Sequence, residues 1–532
     1  MARKPPMIGP IELEVCWNRL ISIASEQAAT MVNSAFSVVL GEMEDLSAGV
    51  FDHRGVMLAQ SVQGAPGHLG SLGIGLKHFV EAFDEASLAP GDVLITNDPW
   101  LVSGHKHDIT VVSPVFLADR LVAFTASNCH AVDIGGRIFS ATAEAVYEEG
   151  LHIPMMKLFD AGCRNETLFQ LIENNVRSPE LVLGDLMAQV SANQVAGERM
   201  RTFMIEHGLT DLTQVADEIT GRTEKMMRNA IAALPDGIYR DSVDLDGFGS
   251  PLTIAVAITV GGDELTVDFD GTSAQIDMGV NCVLNYTKAF VYYAVKCALC
   301  PDSPNNDGTL QPIRVIAPPS SILNATHPAP VGGRHLVGLF VPFAIFGALS
   351  QIIPDQVMAE SSVLGAVTLS GRDDRDKPYI FTFFCSGGMG ARSNKDGLDA
   401  TAFPSNVASA PVEVMEQAAP FLVTRRELIP SSAGAGRFRG GAGQRIGLTL
   451  RSETPASVST MFERAQFPPK GVLGGEDGGP TKLTLDDQVI DPKRGCVLRP
   501  GSELVVETAG GGGYGPANRR KHVQARALIR SS

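Results

Sequence analysis

The sequence predicts an α+β fold of several lobes, with mixed sheets flanked by helices and a β-rich C-terminal lobe. Three observations carry this. Apolar residues recur at steps of three and four after Pro10 and again across 178–208, the period of a helix. They alternate strictly over Leu252–Val260, the period of a strand with one buried face. The last third is rich in Gly and Pro and holds short β-type runs such as "IGLTLRSE" and "ELVVETAG". A chain of 532 residues is long enough for about three or four domains of roughly 100–200 residues. Changes of texture divide it into an N-terminal α+β lobe (1–235), a β-meander with a central helical region (236–400) and a Gly-rich, β-containing C-terminal lobe (401–532).

Along the chain, Leu13, Cys16, Leu20 and Ile23 mark one face of a long first helix, with Ala24, Ala28 and Ala35 near that face. "SAGVFDHRGVMLAQ" reads as a hairpin turning at Asp52-His53-Arg54-Gly55. "SLGIGLKHFVEAF" reads as a helix with Ser71 as its N-cap. "GDVLITNDP", "DITVVSPVF" and "RLVAFTASNCHAVDIGG" are strands that end in polar turns. A helix is expected over Ser178–Gly208, capped by Ser178 with Pro179 in its first position. The next helix puts Ile219, Met226, Ala230 and Ala233 on one face. In the meander, Ile254, Val256, Ile258 and Val260 share a face; Gly261-Gly262 turns the chain and Leu265, Val267 and Phe269 continue it. A helical region follows from about Asn281 to Ser361. Its most apolar stretch, Leu336–Ser350, carries Pro342 and falls short of the roughly 20 residues of a membrane span, so it reads as core. No repeat of fixed period is present.

Composition narrows the function. With 44% hydrophobic and 19% charged residues the chain is globular. A formal charge of −16 argues against nucleic acid and anionic membranes as partners. "MARKPPMIGP" lacks the apolar core of a signal peptide. The 8 cysteines are scattered, and "CALC" (Cys297–Cys300) has apolar neighbours, so buried thiols in a reducing cytoplasm are expected.

The chemistry concentrates in "NDPWLVSGHKHDITVVSPVF". His105 and Asp108 stand three apart, and His130 and Asp133 repeat that spacing in the next strand. A hairpin return brings both turns to one sheet edge. Two imidazoles and one carboxylate with open positions suit a catalytic Mn, Fe(II) or Zn site, not a closed structural one. Asp98, before a proline, also reads as a turn residue. His107 reads as a solvated loop residue, and His68 as a loop histidine in "GAPGHLGSLG". "GGGGYG" (Gly510–Gly515) lacks the strand–helix context of a phosphate loop and reads as a flexible loop. "GAGRFRGGAGQR" offers Arg437, Arg439 and Arg445 as solvated turn residues or an anion contact.

These motifs, in order, resemble the B component of the hydantoinase/5-oxoprolinase family. The run "GDVLITNDPW…GHKHDITVVSPVF", then "HAVDIGG", "EEGLHIPMMKLF", "NNVRSPELVLGDLMAQVSAN", "DFDGTSAQ…GVNC", "ILNATHPAPV", "PVEVMEQAAPFLV", "GAGRFRGGAGQ" and "GGGGGYG" span almost the whole chain. The resemblance implies a hetero-oligomer of A-type and B-type components. The partner, an A-type ATPase, uses ATP to phosphorylate the carbonyl oxygen of a small cyclic amide. The B component then opens the lactam or imide ring with water held at a metal. It also implies one divalent transition ion, Mn, Zn or Fe, on His105, Asp108 and His130, with Asp133, His68 and Asp98 as candidates to orient or deprotonate the water. Asp133 stands first among them, as a partner of His130. The carboxylase branch of the family implies the alternative, a component of an ATP-dependent ketone carboxylase; a non-catalytic docking component is the other. The chain departs from the family pattern at Trp100, usually Tyr, at Gly104 before His105, usually Thr, and at Ser431-Ser432-Ala433-Gly434. None of these removes a proposed ligand; they bear on the ring the enzyme takes.

Overall fold

The structure, a computed structural model, describes residues 9–520. The segment read for a signal sequence, residues 1–8, lies outside the described residues. Helices and largely antiparallel sheets, one of them mixed, make up the fold, as the sequence predicts.

The first sheet comprises β1 (Leu46–Asp52), β2 (Met57–Gln60), β3 (Val93–Thr96), β4 (Asp108–Leu117), β5 (Arg120–His130), β6 (Met156–Asp160) and β7 (Cys163–Arg164). Their order is β2-β1-β5-β4-β3-β6-β7. Helices α1 (Pro10–Asn33) and α2 (Val38–Gly41) precede it, and α3 (Pro66–Ala82) follows β2. After β7 come α4 (Glu166–Asn175), α5 (Pro179–Glu206) and α6 (Thr213–Ala232). Strands β1 to β5 are buried on both faces because alternate side chains serve different helices. Val50, Val115 and Val122 pack with α1 and α5, while Phe51, Val112 and Phe124 pack with Leu72, Leu76 and Phe79 of α3. The expected hairpin turn is present, with Gly55 at φ 80°.

The meander forms a second sheet of β8 (Gly237–Leu245), β9 (Leu252–Gly261), β10 (Glu264–Asp268) and β11 (Ile313–Ile316), ordered β11-β10-β9-β8. Its predicted inner face, Ile254 to Phe269, is buried. Against β8 and β9 lies α9 (Val341–Leu349), which follows α7 (Leu284–Leu299) and α8 (His335–Gly338). Leu336–Ser350 is core, as its apolar composition requires. The central region is less helical than expected, since turns and β11 fill much of 300–334.

The remaining strands are β12 (Leu364–Arg372), β13 (Pro378–Ser386), β14 (Phe421–Ile429), β15 (Gly443–Leu450), β16 (Ala456–Met461), β17 (Lys482–Leu485), β18 (Gln488–Val489), β19 (Cys496–Leu498) and β20 (Glu503–Glu507). They form one sheet ordered β13-β12-β16-β19 and another ordered β14-β15-β20-β17-β18. The first of these joins strands from both sides of residue 400.

Three local expectations are corrected. Helix α3 begins at Pro66, so Ser71 is not its cap; the Ser71 hydroxyl instead donates to Gly67 O at 2.8 Å inside the helix. On α6 the buried stripe is Ile219, Thr223, Met227 and Ile231, while Met226 is 43% exposed: steps of four select the second methionine of the pair. The glycine run at 510–513 is buried and pinned, with Gly511 N donating to Gly441 O at 2.9 Å and Gly513 N to Glu476 O at 2.8 Å. Among the cysteines, Cys16, Cys129, Cys282 and Cys385 are buried, Cys297 and Cys300 are half-buried, and Cys163 is exposed; all are free. The arginines of the glycine-rich turn are largely paired, Arg439 with Asp399 and Arg445 with Glu427 and Glu507. Among the described residues no helix is long and apolar enough to cross a membrane.

Candidate metal centre

The β4–β5 hairpin places Asp108 directly opposite His130 at the end of its ladder. His105 arrives from the turn before β4. There Gly104 has φ 96°, and any side chain on it would meet Arg334 Cδ at 2.9 Å, so the turn needs glycine for both reasons. The His105 Nδ1–H donates to Gly332 O at 2.8 Å, which turns Nε2 toward Asp108 Oδ1 at 2.6 Å. The Nδ1 of His130 lies 3.2 Å from the same oxygen. The three ligand atoms lie within 4.8 Å of one another, and the three residues are 1%, 0% and 3% exposed.

This donor set fits a cation on physical grounds. Gly332 O accepts only, so Nδ1 of His105 must carry that ring's proton. Burial, then the Arg334 charge, pushes His105 down to about 3, so the ring is neutral. Nε2 therefore presents a lone pair to a carboxylate oxygen. Asp108 stays ionised: burial opposes its charge, but Arg334, His105 and His68 hold it well below the usual carboxylate range. Two lone pairs facing at 2.6 Å attract only through a shared proton or a cation between them.

The other candidates divide. His68, in the first turn of α3, joins the cluster. Its Nε2 stands 2.9 Å from Asp108 Oδ2 and its Nδ1 3.4 Å from Asp45 Oδ1. Burial disfavours its charged form, but Asp108 and Asp45 together raise its pKa. Asp133 does not face His130. Its Oδ1 accepts from Gly135 N (3.0 Å) and Arg177 Nη1 (2.8 Å), and its Oδ2 from Arg177 N. The chain leaves β5 at His130 and turns, which carries the carboxylate three residues on toward Arg177. Asp98 stays in its own turn, accepting from Trp100 N at 2.9 Å and standing 3.9 Å from His152 Nε2. His107, expected in solvent, is 3% exposed. Its carbonyl accepts from Ala131 N at 2.7 Å, extending the hairpin inward, and its ring stacks on His130 with centroids 5.4 Å apart beneath Phe139. Burial, then His130 and His105, keeps it neutral.

Sequence reasoning missed Asp45, Arg334 and His335. Asp45 O accepts from His130 N at 3.1 Å, so the β1–β5 pairing sets Asp45 beside the ligand, a pairing no local pattern announces. Arg334 Nη2 donates to Asp108 Oδ2 at 2.5 Å. The signal for Arg334 and His335 was the polar "GGRH" interrupting an apolar run. A small cavity of about 40 Å³ is lined by Asp45, His68, His105, His130, Tyr286 and Arg334 among others. A larger one of about 680 Å³ lies behind the first turn of α3, lined by Gly64, Pro66, Tyr292 and Asn406 among others.

Comparison with known proteins agrees with this architecture. The family model described as hydantoinase B/oxoprolinase matches residues 9–517. The B component of a putative D-/L-hydantoinase of Pseudomonas sp. (strain NS671) is 30% identical, over 96% of this chain and 90% of that one. The beta chain of the caprolactamase of Pseudomonas jessenii is 28% identical, over 98% of this chain and 94% of that one. The crystal structure of the ATP-dependent caprolactamase from Pseudomonas jessenii superposes with a TM-score of 0.90 at 28% identity, covering 97% of this chain and 92% of that chain. A nucleotide-free acetone carboxylase shares the fold, with a TM-score of 0.88 at 17% identity, over 96% of this chain and 76% of that one. With the match running through nearly every described residue, the chain belongs to the hydantoinase B/oxoprolinase family.

Proposed function

We propose that this chain is the B component of an ATP-dependent cyclic amidase. It opens a lactam or imide ring whose carbonyl oxygen an A-type ATPase partner has phosphorylated. The observation that carries the reading is the lone-pair confrontation of His105 Nε2 and Asp108 Oδ1, with His130 on the same oxygen, beside a small cavity. The names of the relatives, one component of a hydantoinase and one of a caprolactamase, support the substrate class and the partner.

The division of labour follows from amide chemistry. An amide resists water because resonance stabilises it; phosphorylating its oxygen creates an imidate-like carbon with a good leaving group. His105, Asp108 and His130 would hold a divalent ion, Mn, Zn or Fe, which would supply Lewis acidity and activate water near neutral pH. The chain's own residues arrange the rest. Gly332 O fixes the tautomer of His105. His68 and Arg334 hold Asp108 Oδ2, leaving Oδ1 toward the imidazoles. Phe139, Leu339, Leu364, Phe384 and Val407 wall the cavity and keep out bulk water.

The test is co-expression with the A-type ATPase, followed by assays of ATP-dependent loss of hydantoin, 5-oxoproline and ε-caprolactam, and of bicarbonate incorporation into ketones. Ring opening is expected, together with a stoichiometric transition metal. His105→Ala and His130→Ala are expected to lose both. Ring opening that survives both substitutions would sink the metal site. Bicarbonate incorporation without ring opening would replace the amidase by a carboxylase.

A further inference from the structure

We infer that Arg334 binds an anionic oxygen of the substrate, the phosphoryl group on the activated carbonyl; this rests on the amidase reading above. Arg334 is 3% exposed yet lines the cavity that holds the ligand cluster. One edge of its guanidinium serves the protein. Nε donates to Ser103 O at 2.7 Å and Nη2 to Asp108 Oδ2 at 2.5 Å. Nη1 has no hydrogen-bond partner among the described residues, although a guanidinium offers five N–H donors in one plane. The plane itself is fixed, with the guanidinium carbon 4.0 Å from the Tyr286 ring centroid. The fold also keeps space for this side chain, because a Cβ on Gly104 would strike Arg334 Cδ at 2.9 Å and Nε at 3.0 Å. A donor pair held in one orientation, without a protein partner and on a residue that lines the cavity, is how a protein prepares for an anionic oxygen.

A lysine would keep the charge but lose the planar fork that holds Ser103 and Asp108 while reaching a third acceptor. At about 40 Å³ the cavity takes an ion and a water. A phosphorylated ring needs a larger space, and Leu339, Leu364, Phe384 and Val407 are among the apolar residues of the wall that would have to move.

The experiment measures inorganic phosphate binding to the full chain loaded with Mn²⁺, by titration calorimetry and by paramagnetic relaxation of the ³¹P signal. The wild-type chain is expected to bind phosphate close enough to the ion for strong relaxation. Compared at equal Mn²⁺ occupancy, Arg334→Met is expected to weaken phosphate binding at least tenfold. Arg334→Lys keeps the charge, guards against a folding failure of the methionine variant, and is also expected to bind several-fold more weakly. Phosphate affinity equal to wild type in a metal-loaded Arg334→Lys chain would overturn the inference, as would phosphate that binds without relaxation. The amidase reading fails separately. Arg334-dependent phosphate binding without turnover of any ring would leave the anion site standing. Ring turnover with an unchanged KM in Arg334→Lys would remove the anion site and leave the amidase.

Discussion

Glu149 shows how far a single buried carboxylate reaches toward the ligands. Its Oε1 accepts from Val331 N and from Gly332 N, and the carbonyl of Gly332 receives the His105 Nδ1–H at 2.8 Å. The carboxylate thus pins the peptide that sets the tautomer of His105. Burial pushes Glu149 up to about 7, against the two amides and the charges of Lys106 and Arg334. Because the folded value is raised, this group's stabilising share is complete below its unfolded value near 4.5 and is lost as pH rises through about 7. Urea unfolding of the metal-free chain between about pH 5 and about pH 8 is expected to show that decline. Glu149→Gln keeps the acceptor and flattens the slope, gaining about 1–3 kcal/mol at the alkaline end; parallel slopes for the two chains would refute it. Glu149→Ala removes the acceptor and is expected to weaken metal binding about 10–100-fold, with Gln restoring it. At this scale the legible residues were those fixed by short spacing, His105, Asp108 and His130. Arg334 stands 226 positions from Asp108, and no periodicity connects them. His107 was misjudged because polarity alone does not reveal a phenylalanine folded over an imidazole from 139.

Helix α3 shows why some elements were read with the wrong boundary. "GAPGHLGSLG" looks like a loop, yet Pro66 opens a helix through it, as proline in the first turn favours. Its glycines are contact points. A Cβ on Gly67 would meet the Tyr286 ring at 2.6 Å, and one on Gly70 would meet Ala289 Cα at 2.7 Å, both on α7. Propensity alone assigns Gly→Ala in a helix a gain of up to about 1 kcal/mol. Gly70→Ala is instead expected to destabilise by about 1–3 kcal/mol through overpacking, and to weaken metal binding because His68 rides on the same turn. Gly221→Ala on α6, where nothing lies within 4 Å of the new Cβ, is the control expected to stabilise. Thermal melts of the pair test this, and equal shifts would refute the packing account. The meander was legible because a period of two survives any partner. The face of α6 was not, because two adjacent methionines leave helical phase ambiguous by one residue until the partner is known.

The parts of the molecule are tied by backbone polar groups that composition cannot display. The glycine run near the C-terminus reads as flexible, yet a Cβ on Gly511 would lie 2.1 Å from Met389 O and one on Gly440 1.9 Å from Gly511 O. The chain passes there at backbone-to-backbone distance, so glycine is a packing requirement. A second tie joins the meander to the C-terminal strands. Asp246, in the turn after β8, accepts from Ala465 N at 2.7 Å, Gln466 N at 2.8 Å and Phe467 N at 3.1 Å. Its own N–H donates to Glu463 Oε2 at 2.8 Å, and Lys493 Nζ closes the network on Glu463 Oε1 at 2.6 Å. Asp246→Ala strips three amides of their acceptor in a half-buried seam, while the backbone N–H of residue 246 keeps its bond to Glu463. Each buried amide left unpaired costs about 1–3 kcal/mol, and water entering the seam recovers part of that, so a loss of about 3 kcal/mol is expected. Hydrogen exchange is expected to quicken at Ala465, Gln466 and Phe467, while the metal content holds, because the ligands hang on β4 and β5 of the first sheet. Asp246→Asn keeps one acceptor oxygen and should retain part of the protection. Unchanged exchange at those three amides in Asp246→Ala would show that the two parts are held together by the apolar contacts beneath them, with the hook adding nothing.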